Sequence, residues 1–402
     1  MIATTALTAG GAEALTINAT FGSACGFCDQ IGLTYGSLAG NAPAEGAIEA
    51  AVHQVASQFG ATNLTVNILF FDAPSQYEVA FNYNSQVAYP YGTYVAALTA
   101  DAVAHPWNKT LATAVANLPY GNGAAVDPAP TFVAVSTPAA RALGLGVVPS
   151  DFGPQDAAPE FDALGDFVGG GVGAGGTVDG IVFLNSEAPF SYTRPVPPPS
   201  PDPSANNPYD AQTAMEHEID EVLGIGGGGS MLNYANGDPN YAKDYFGVDG
   251  ALYGQMDLYR YSGVRTPSFK SYDEDYDYEY TLAGGGVYFS VDGGKTRIDL
   301  FNNGLEGDSG DWALTDTLCP GGGGQYVGGF GNVQDAFACN NVAYDVQPGS
   351  PEYAAFEAIG YNPVPEPAQW TLLLAGSAMT GFVLRTSRAR LRGRRRRLAA
   401  IG

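Results

Sequence analysis

The sequence predicts an α+β domain in two lobes, and three observations carry that expectation. Helix-like and strand-like periodicities alternate from Leu15 to Asn185. One helix, at Tyr209–Gly224, holds the only segment with recognisable chemistry. Beyond Gly226 the chain turns rich in Gly, Asp and Tyr, with short β-like pieces. Alternation of the first kind builds a sheet covered by helices, and the irregular part makes a second lobe of turns.

Leu15–Thr20 alternates and closes on a glycine turn, so it reads as the first strand. Ala44–Phe59 places Ile48, Ala51, Val52, Val55 and Phe59 on one helical face. Asn63–Phe71 is a β-branched and aromatic run, suited to the middle of a sheet. Tyr94–Ala104 and Lys109–Leu118 have helical spacing, with Pro106 marking the break between them. Thr131–Val135 and Val178–Asn185 read as two further strands, Gln255–Tyr261 and Val287–Val291 as short β-like pieces, and Pro351–Ile359 as a last helix.

The charge is unevenly spread. Eight of the seventeen basic residues are arginines between Arg385 and Arg397, and no acid follows Glu366. That leaves nine basic against forty acidic residues, a net −31, on residues 1–364. Such a surface repels nucleic acid, which excludes nucleic-acid binding. Four cysteines, Cys25, Cys28, Cys319 and Cys339, allow three pairings that the sequence does not choose between. In an exported chain the neutral expectation is Cys25–Cys28 and Cys319–Cys339; a four-thiolate zinc site has the ligand number but C-x-x-C spacing in only one half.

Both ends read as processing segments. Met1–Ala14 lacks a basic start but ends in Ala-Glu-Ala, a small-x-small cleavage pattern, so residues 1–14 are expected to be a signal-peptide remnant. From Val364 the chain runs Val-Pro-Glu-Pro, an apolar stretch from Trp370 to Leu384, and then the arginines. About fifteen apolar residues fall short of the ~20 that span a bilayer comfortably. The arginines set the orientation of this C-terminal anchor helix, with residues 1–363 outside. Pro365-Glu366-Pro367, the short apolar span and the arginine cluster together resemble the PEP-CTERM sorting signal of Gram-negative bacteria. The resemblance implies an exosortase-type sorting enzyme as partner, transient anchoring in the inner membrane by residues 364–402, and release to the cell surface or matrix.

The chemistry lies in Tyr-Asp-Ala-Gln-Thr-Ala-Met-Glu-His-Glu-Ile-Asp-Glu-Val-Leu-Gly, residues 209–224. Asp210 is an N-cap and the glycines after Leu223 are a stop. At 100° per residue, Ala211, Ala214, Met215, Ile219, Val222 and Leu223 form one apolar arc, with Glu216 and Asp220 well away from its centre. His217 and Glu221 stand side by side at i and i+4. Glu218 falls inside the arc, where an unpaired carboxylate is costly. Two ligands at i and i+4 with a Glu between them form a helix-borne metal hydrolase motif. His217 and Glu221 hold the ion, and Glu218, its pKa raised by apolar surroundings, takes a proton from water. An acidic amphipathic helix with one boundary His is the plain alternative.

His-Glu-Ile-Asp-Glu-Val-Leu-Gly, with Met256–Ser262, Tyr288–Gly294, Gly310-Asp311-Trp312 and Ala358–Tyr361 downstream, resembles a zincin-like metalloprotease family carried on PEP-CTERM proteins. The resemblance covers nearly all of residues 15–402. It implies a zincin-like, metzincin-related domain over residues 15–363: a twisted mixed sheet, an active-site helix beneath it, and a protein or peptide substrate along an edge strand. It also implies Zn2+ as cofactor. The metzincin pattern would put a second His at Glu221 and a third at Gly227, and of its later positions only Gly224 is kept. The chain has three histidines, and His53 and His105 suit core or surface roles. The expected set is therefore His217, Glu221 and a third oxygen ligand, Asp257 first and Asp249 second. One imidazole with two carboxylates binds zinc and also admits manganese or calcium. The acidic run Asp273–Tyr280, and Asp292, Asp299, Asp308 and Asp311 among glycines, allow Ca2+ but read first as solvated loops. Set against the peptidase is a catalytically inactive scaffold of the same fold whose tyrosines and acidic loops bind polysaccharide or protein partners.

Overall fold

The computed structural model describes residues 15–22, 25, 28–29, 32–60, 64–76, 78–119, 129–145, 160–161, 167–169, 178–194, 208–234, 239–264, 266–268, 286–302, 307–313, 332–336, 338–340 and 342–364. The chain divides into two units, residues 1–363 and 364–402. The leader and sorting-tail expectations, the acidic run at 273–280 and Cys319 lie outside the described residues. Among those residues, no helix is long and apolar enough to cross a membrane.

The architecture is mixed α+β. From the N-terminus, β1 (Thr16–Phe21) and the two-residue β2 (Gly36–Ser37) lead into α1 (Ala42–Gln58). β3 (Thr65–Ala73), β4 (Ala80–Asn84), β5 (Gln86–Pro90), α2 (Tyr91–Ala104), α3 (Lys109–Asn117), β6 (Phe132–Ser136) and α4 (Thr137–Ala142) follow. β7 (Gly180–Asn185) precedes α5 (Ala211–Leu223). The remainder holds β8 (Leu252–Gly254), β9 (Arg260–Gly263), β10 (Tyr288–Phe289), β11 (Asp299–Leu300) and α6 (Pro351–Ala358).

The main sheet runs β1-β3-β7-β4, with β2 paired to β3. β1, β3 and β7 are parallel, and β4 is the antiparallel edge beside β7. All six residues of β7 are buried, as a strand covered on both faces should be; this accounts for the unbroken apolar run Ile181–Leu184. α1 and α5 pack on one another. Ile48, Ala51 and Val55 of α1 share one core with Val66, Ile68 and Phe70 of β3 and Met215, Ile219 and Val222 of α5. A second sheet sets β6 between β8 and β5, and the Gly-rich part of the chain holds an antiparallel sheet of Thr266–Pro267, β9, β10 and β11.

Two expectations about elements change. Phe59 leaves the helix and pairs with Pro363, and its ring packs on Phe356 with centroids 4.9 Å apart. Gln255–Tyr261 is not one strand: Met256–Tyr259 is a 3-10 turn, and extended chain starts at Arg260. The cause is Asp257, whose carboxylate accepts from Gly254 N and Met231 N and so curls the backbone around itself. Cys25 and Cys28 form a disulfide, with Cα atoms 5.2 Å apart.

Candidate metal centre

α5 is built locally. Asp210 caps it by accepting from Thr213 N at 3.1 Å. Gly224 ends it at φ +108°, a left-handed conformation that glycine adopts without a Cβ penalty. The structure buries more of this helix than an amphipathic reading allows. Glu216 and Asp220, expected away from the apolar arc, are fully buried like Met215 and Ile219. Val346 bridges this helix and α1: its N donates to Glu216 at 2.9 Å and its carbonyl accepts from Gln54 at 2.9 Å. Burial first, and neighbouring acids after it, hold Asp220 well above the usual carboxylate range.

Within this helix His217 and Glu221 face a common point. His217 Nδ1 lies 3.0 Å from the Val333 carbonyl, which puts a proton on Nδ1 and turns Nε2 toward the site. Nε2 stands 3.6 Å from Glu221 Oε1 and 3.7 Å from Asp311 Oδ2. Among the described residues these three form the one His/Cys/Asp/Glu group able to hold a metal ion, with one ligand atom from each within 4.8 Å of the others. Asp311 arrives from the loop before Trp312, and Trp312 is fully buried against Phe289 and Phe301.

The turn after α5 closes the site. Gly227 N donates to Glu221 Oε1 at 2.9 Å and to Asp311 Oδ1 at 2.8 Å. A Cβ on Gly227 would fall 2.4 Å from Asp308 Oδ2 and 2.6 Å from Glu221 Oε1. At the position where the metzincin pattern has histidine, a side chain would therefore have to displace the Asp308 and Glu221 carboxylates. Gln334, from another loop, points its amide nitrogen at all three ligand residues.

Glu218 lies beside this group. Asn82 of edge strand β4 donates to Glu218 Oε2 at 2.7 Å and to Glu221 Oε2 at 2.5 Å. Burial, then the Glu221 charge, push the Glu218 pKa up to about 8, against the pull of His217 and Asn82. For His217 burial works to lower the pKa, but the Asp311, Glu221 and Glu218 carboxylates outweigh it and hold the imidazole well above its usual value. Asp311 is itself raised, by burial first and then by the Glu221 and Asp308 charges. Three acids around one imidazole make a place that demands positive charge.

Asp257, the third ligand expected from the sequence, does not join this group, and Asp311 stands in it instead. Asp257 is buried elsewhere and its oxygens are already bonded: Oδ1 by Ser230 Oγ at 2.6 Å, Oδ2 by Met231 N at 2.9 Å and Gly254 N at 2.7 Å. It anchors the end of the glycine turn. Asp249 is exposed and belongs to no such group. His105 pairs with Asp101 at 2.7 Å, and His53 is exposed on α1. Asp311 was visible only as one aspartate among several and as the middle of Gly310-Asp311-Trp312. Asn82 and Gln334 carried no signal of their own.

Long-range contacts hold the loops. Arg260 Nη1 donates to the Ser309 carbonyl, two residues before Asp311, and its guanidinium lies 4.2 Å from the Phe301 ring centroid. Asn302 N donates to the Asp311 carbonyl at 2.7 Å. Glu352 Oε1 accepts from both Trp312 Nε1 and Gln334 N, each at 3.1 Å, tying the two loops to α6.

Comparison with family models, with curated proteins and with solved structures returns no match. The side chains themselves therefore have to carry the functional reading.

Proposed function

We propose that this chain is an exported, zincin-like metallopeptidase in which His217, Glu221 and Asp311 hold a divalent cation and Glu218 is the general base. The observation that carries the reading is the spacing of the ligand atoms. Four ligands at about 2.1 Å around a tetrahedral zinc stand about 3.4 Å from one another. His217 Nε2 has its two carboxylate partners at 3.6 and 3.7 Å, close to that spacing, and all three ligand atoms lie within 4.8 Å of one another. The Nδ1 contact to the Val333 carbonyl supplies the hydrogen bond that a metal-binding histidine normally makes through its other ring nitrogen.

A cation held there would polarise a scissile carbonyl and make water acidic enough to attack near neutral pH. The other roles fall to the chain. Glu218 is a buried carboxylate whose pKa lies close to ambient pH, the condition for taking a proton from water and passing it to a leaving amine. Asn82 orients it. β4 is an antiparallel sheet edge beside these groups, and an extended peptide adds to such an edge by main-chain hydrogen bonds. The mixed sheet with the His-Glu helix packed on it, and the edge strand at the site, support the zincin-like reading of the fold. The anionic chain and the PEP-CTERM-like tail support export, anchoring and release by an exosortase-type enzyme.

Asn82 also favours a second reading, an inactive scaffold that keeps the metal geometry, because its amide occupies an oxygen of Glu218 that a base would use. One variant separates the two. Glu218→Gln should keep bound metal and lose about 10²–10⁴-fold in peptide hydrolysis. Bound metal in the parent with no hydrolysis above that of Glu218→Gln, on a broad peptide library, would leave the scaffold reading standing.

A further inference from the structure

Gln334 is fully buried, and its Nε2 lies 3.1 Å from His217 Nε2, 3.3 Å from Glu221 Oε1 and 3.0 Å from Asp311 Oδ1. The amide is thus aimed at the point where the three ligand residues converge. An –NH2 group has two protons for three such contacts and no lone pair to offer a cation. Its neighbour Oε1 is the reverse: an acceptor, buried, with no hydrogen-bond partner among the described residues. A buried carbonyl oxygen with nothing to accept from is uncommon and destabilising.

We propose that Gln334 is a fourth protein ligand, turning Oε1 onto the cation by a half-turn of its terminal amide. The inference rests on the metal-centre reading above and deepens it. The last torsion of a glutamine is broad and roughly two-fold, so Nε2 and Oε1 exchange places with little else displaced. The backbone stays fixed, because Gln334 N donates to Glu352 at 3.1 Å and its carbonyl accepts from Trp312 N at 2.8 Å. The two orientations suit two states. Without a cation, Glu221 and Asp311 need donors, and the –NH2 provides them. With a cation the carboxylates already have their countercharge, the amide protons are repelled, and the oxygen is drawn in. One nitrogen and three oxygens is a harder donor set than three histidines, so it raises the preference for manganese relative to zinc.

The test is a titration of the full chain, stripped with chelator, with zinc and separately with manganese by calorimetry, beside Gln334→Met and Gln334→Glu. Methionine keeps the length of the side chain without the amide, and glutamate keeps the oxygen. Thermal melts report the folding of each variant. The expected result is one ion per parent chain, about 10–100-fold weaker binding in Gln334→Met, and affinity at or above the parent's in Gln334→Glu. Parental or tighter binding by Gln334→Met overturns the proposal, since the amide then only fills the space. If Gln334→Met does not fold, Gln334→Glu decides: tenfold weaker binding there also overturns it. A parent that takes up neither ion shows the metal-centre reading itself to be wrong, and that result is read before any variant is made.

Discussion

The two arms of the candidate centre are built in opposite ways. The helix arm places His217, Glu218 and Glu221 within five consecutive residues of α5, capped by Asp210 and stopped by Gly224. The loop arm brings Asp311 and Gln334 from separate segments, held by Arg260, Asn302, Trp312 and Glu352. In the first arm geometry follows from 3.6 residues per turn. In the second it exists only once distant parts of the chain have packed. A local motif can therefore name half of a site and say nothing reliable about the other half.

The largest effect tests whether the arms are equal partners. His217→Ala and Asp311→Ala are each expected to abolish near-stoichiometric metal binding, measured by mass spectrometry of metal content on folded protein. Asp257→Asn should leave the metal in place, because that carboxylate serves Ser230, Met231 and Gly254. Retained metal in Asp311→Ala with loss in Asp257→Asn would reverse the assignment and restore the ligand set read from sequence.

That contrast also explains what could be read in advance. Strands β1, β3, β6 and β7 and helices α1, α2, α3 and α5 were legible because periodicity reports burial directly, whereas β4 and β5, whose residues are all only partly buried or exposed, were not read. Boundaries shifted where a tertiary partner intervened, as at Phe59, which pairs with Pro363. The acids of α5 misled for a related reason. An amphipathic reading assumes that one face meets water, yet Glu216, bonded by Val346 N, and Asp220 are both fully buried. The warning was present, since the helix has four acids among Glu216–Glu221 and no lysine or arginine to neutralise them. Asp257 was the expected third ligand, but a sequence does not show how many donors a carboxylate already has. Asp311 had no periodicity to expose it.

A smaller effect weighs the support of the loop arm. Arg260 is fully buried, donates to Ser309 and offsets the Asp257 charge. Arg260→Met leaves Asp257 without its cation and the Ser309 carbonyl without this donor, at a cost of about 3–5 kcal/mol. Denaturant unfolding should show that loss, with weakened metal binding because the Asp311 loop loses its anchor. Unchanged metal affinity in a folded Arg260→Met would mean that Trp312 and Asn302 position Asp311 by themselves.

The smallest effect belongs to the helix arm. Asp210 caps α5 from the end opposite Glu221 and accepts from Thr213 N and Thr213 Oγ1 as well as from Arg194. Asp210→Ala removes the cap and should cost about 1–2 kcal/mol, seen as a lower Tm. Metal affinity should hold within a few-fold, because His217 and Glu221 sit beyond the first turns, where the i to i−4 bonds and the core packing of Met215, Ile219 and Val222 keep the helix wound. Asp210→Asn, which preserves the acceptor, should recover most of the stability. If Asp210→Ala instead released the metal, the helix arm would depend on contacts as remote as those of the loop arm, and the distinction between local and assembled ligands would not hold in this protein.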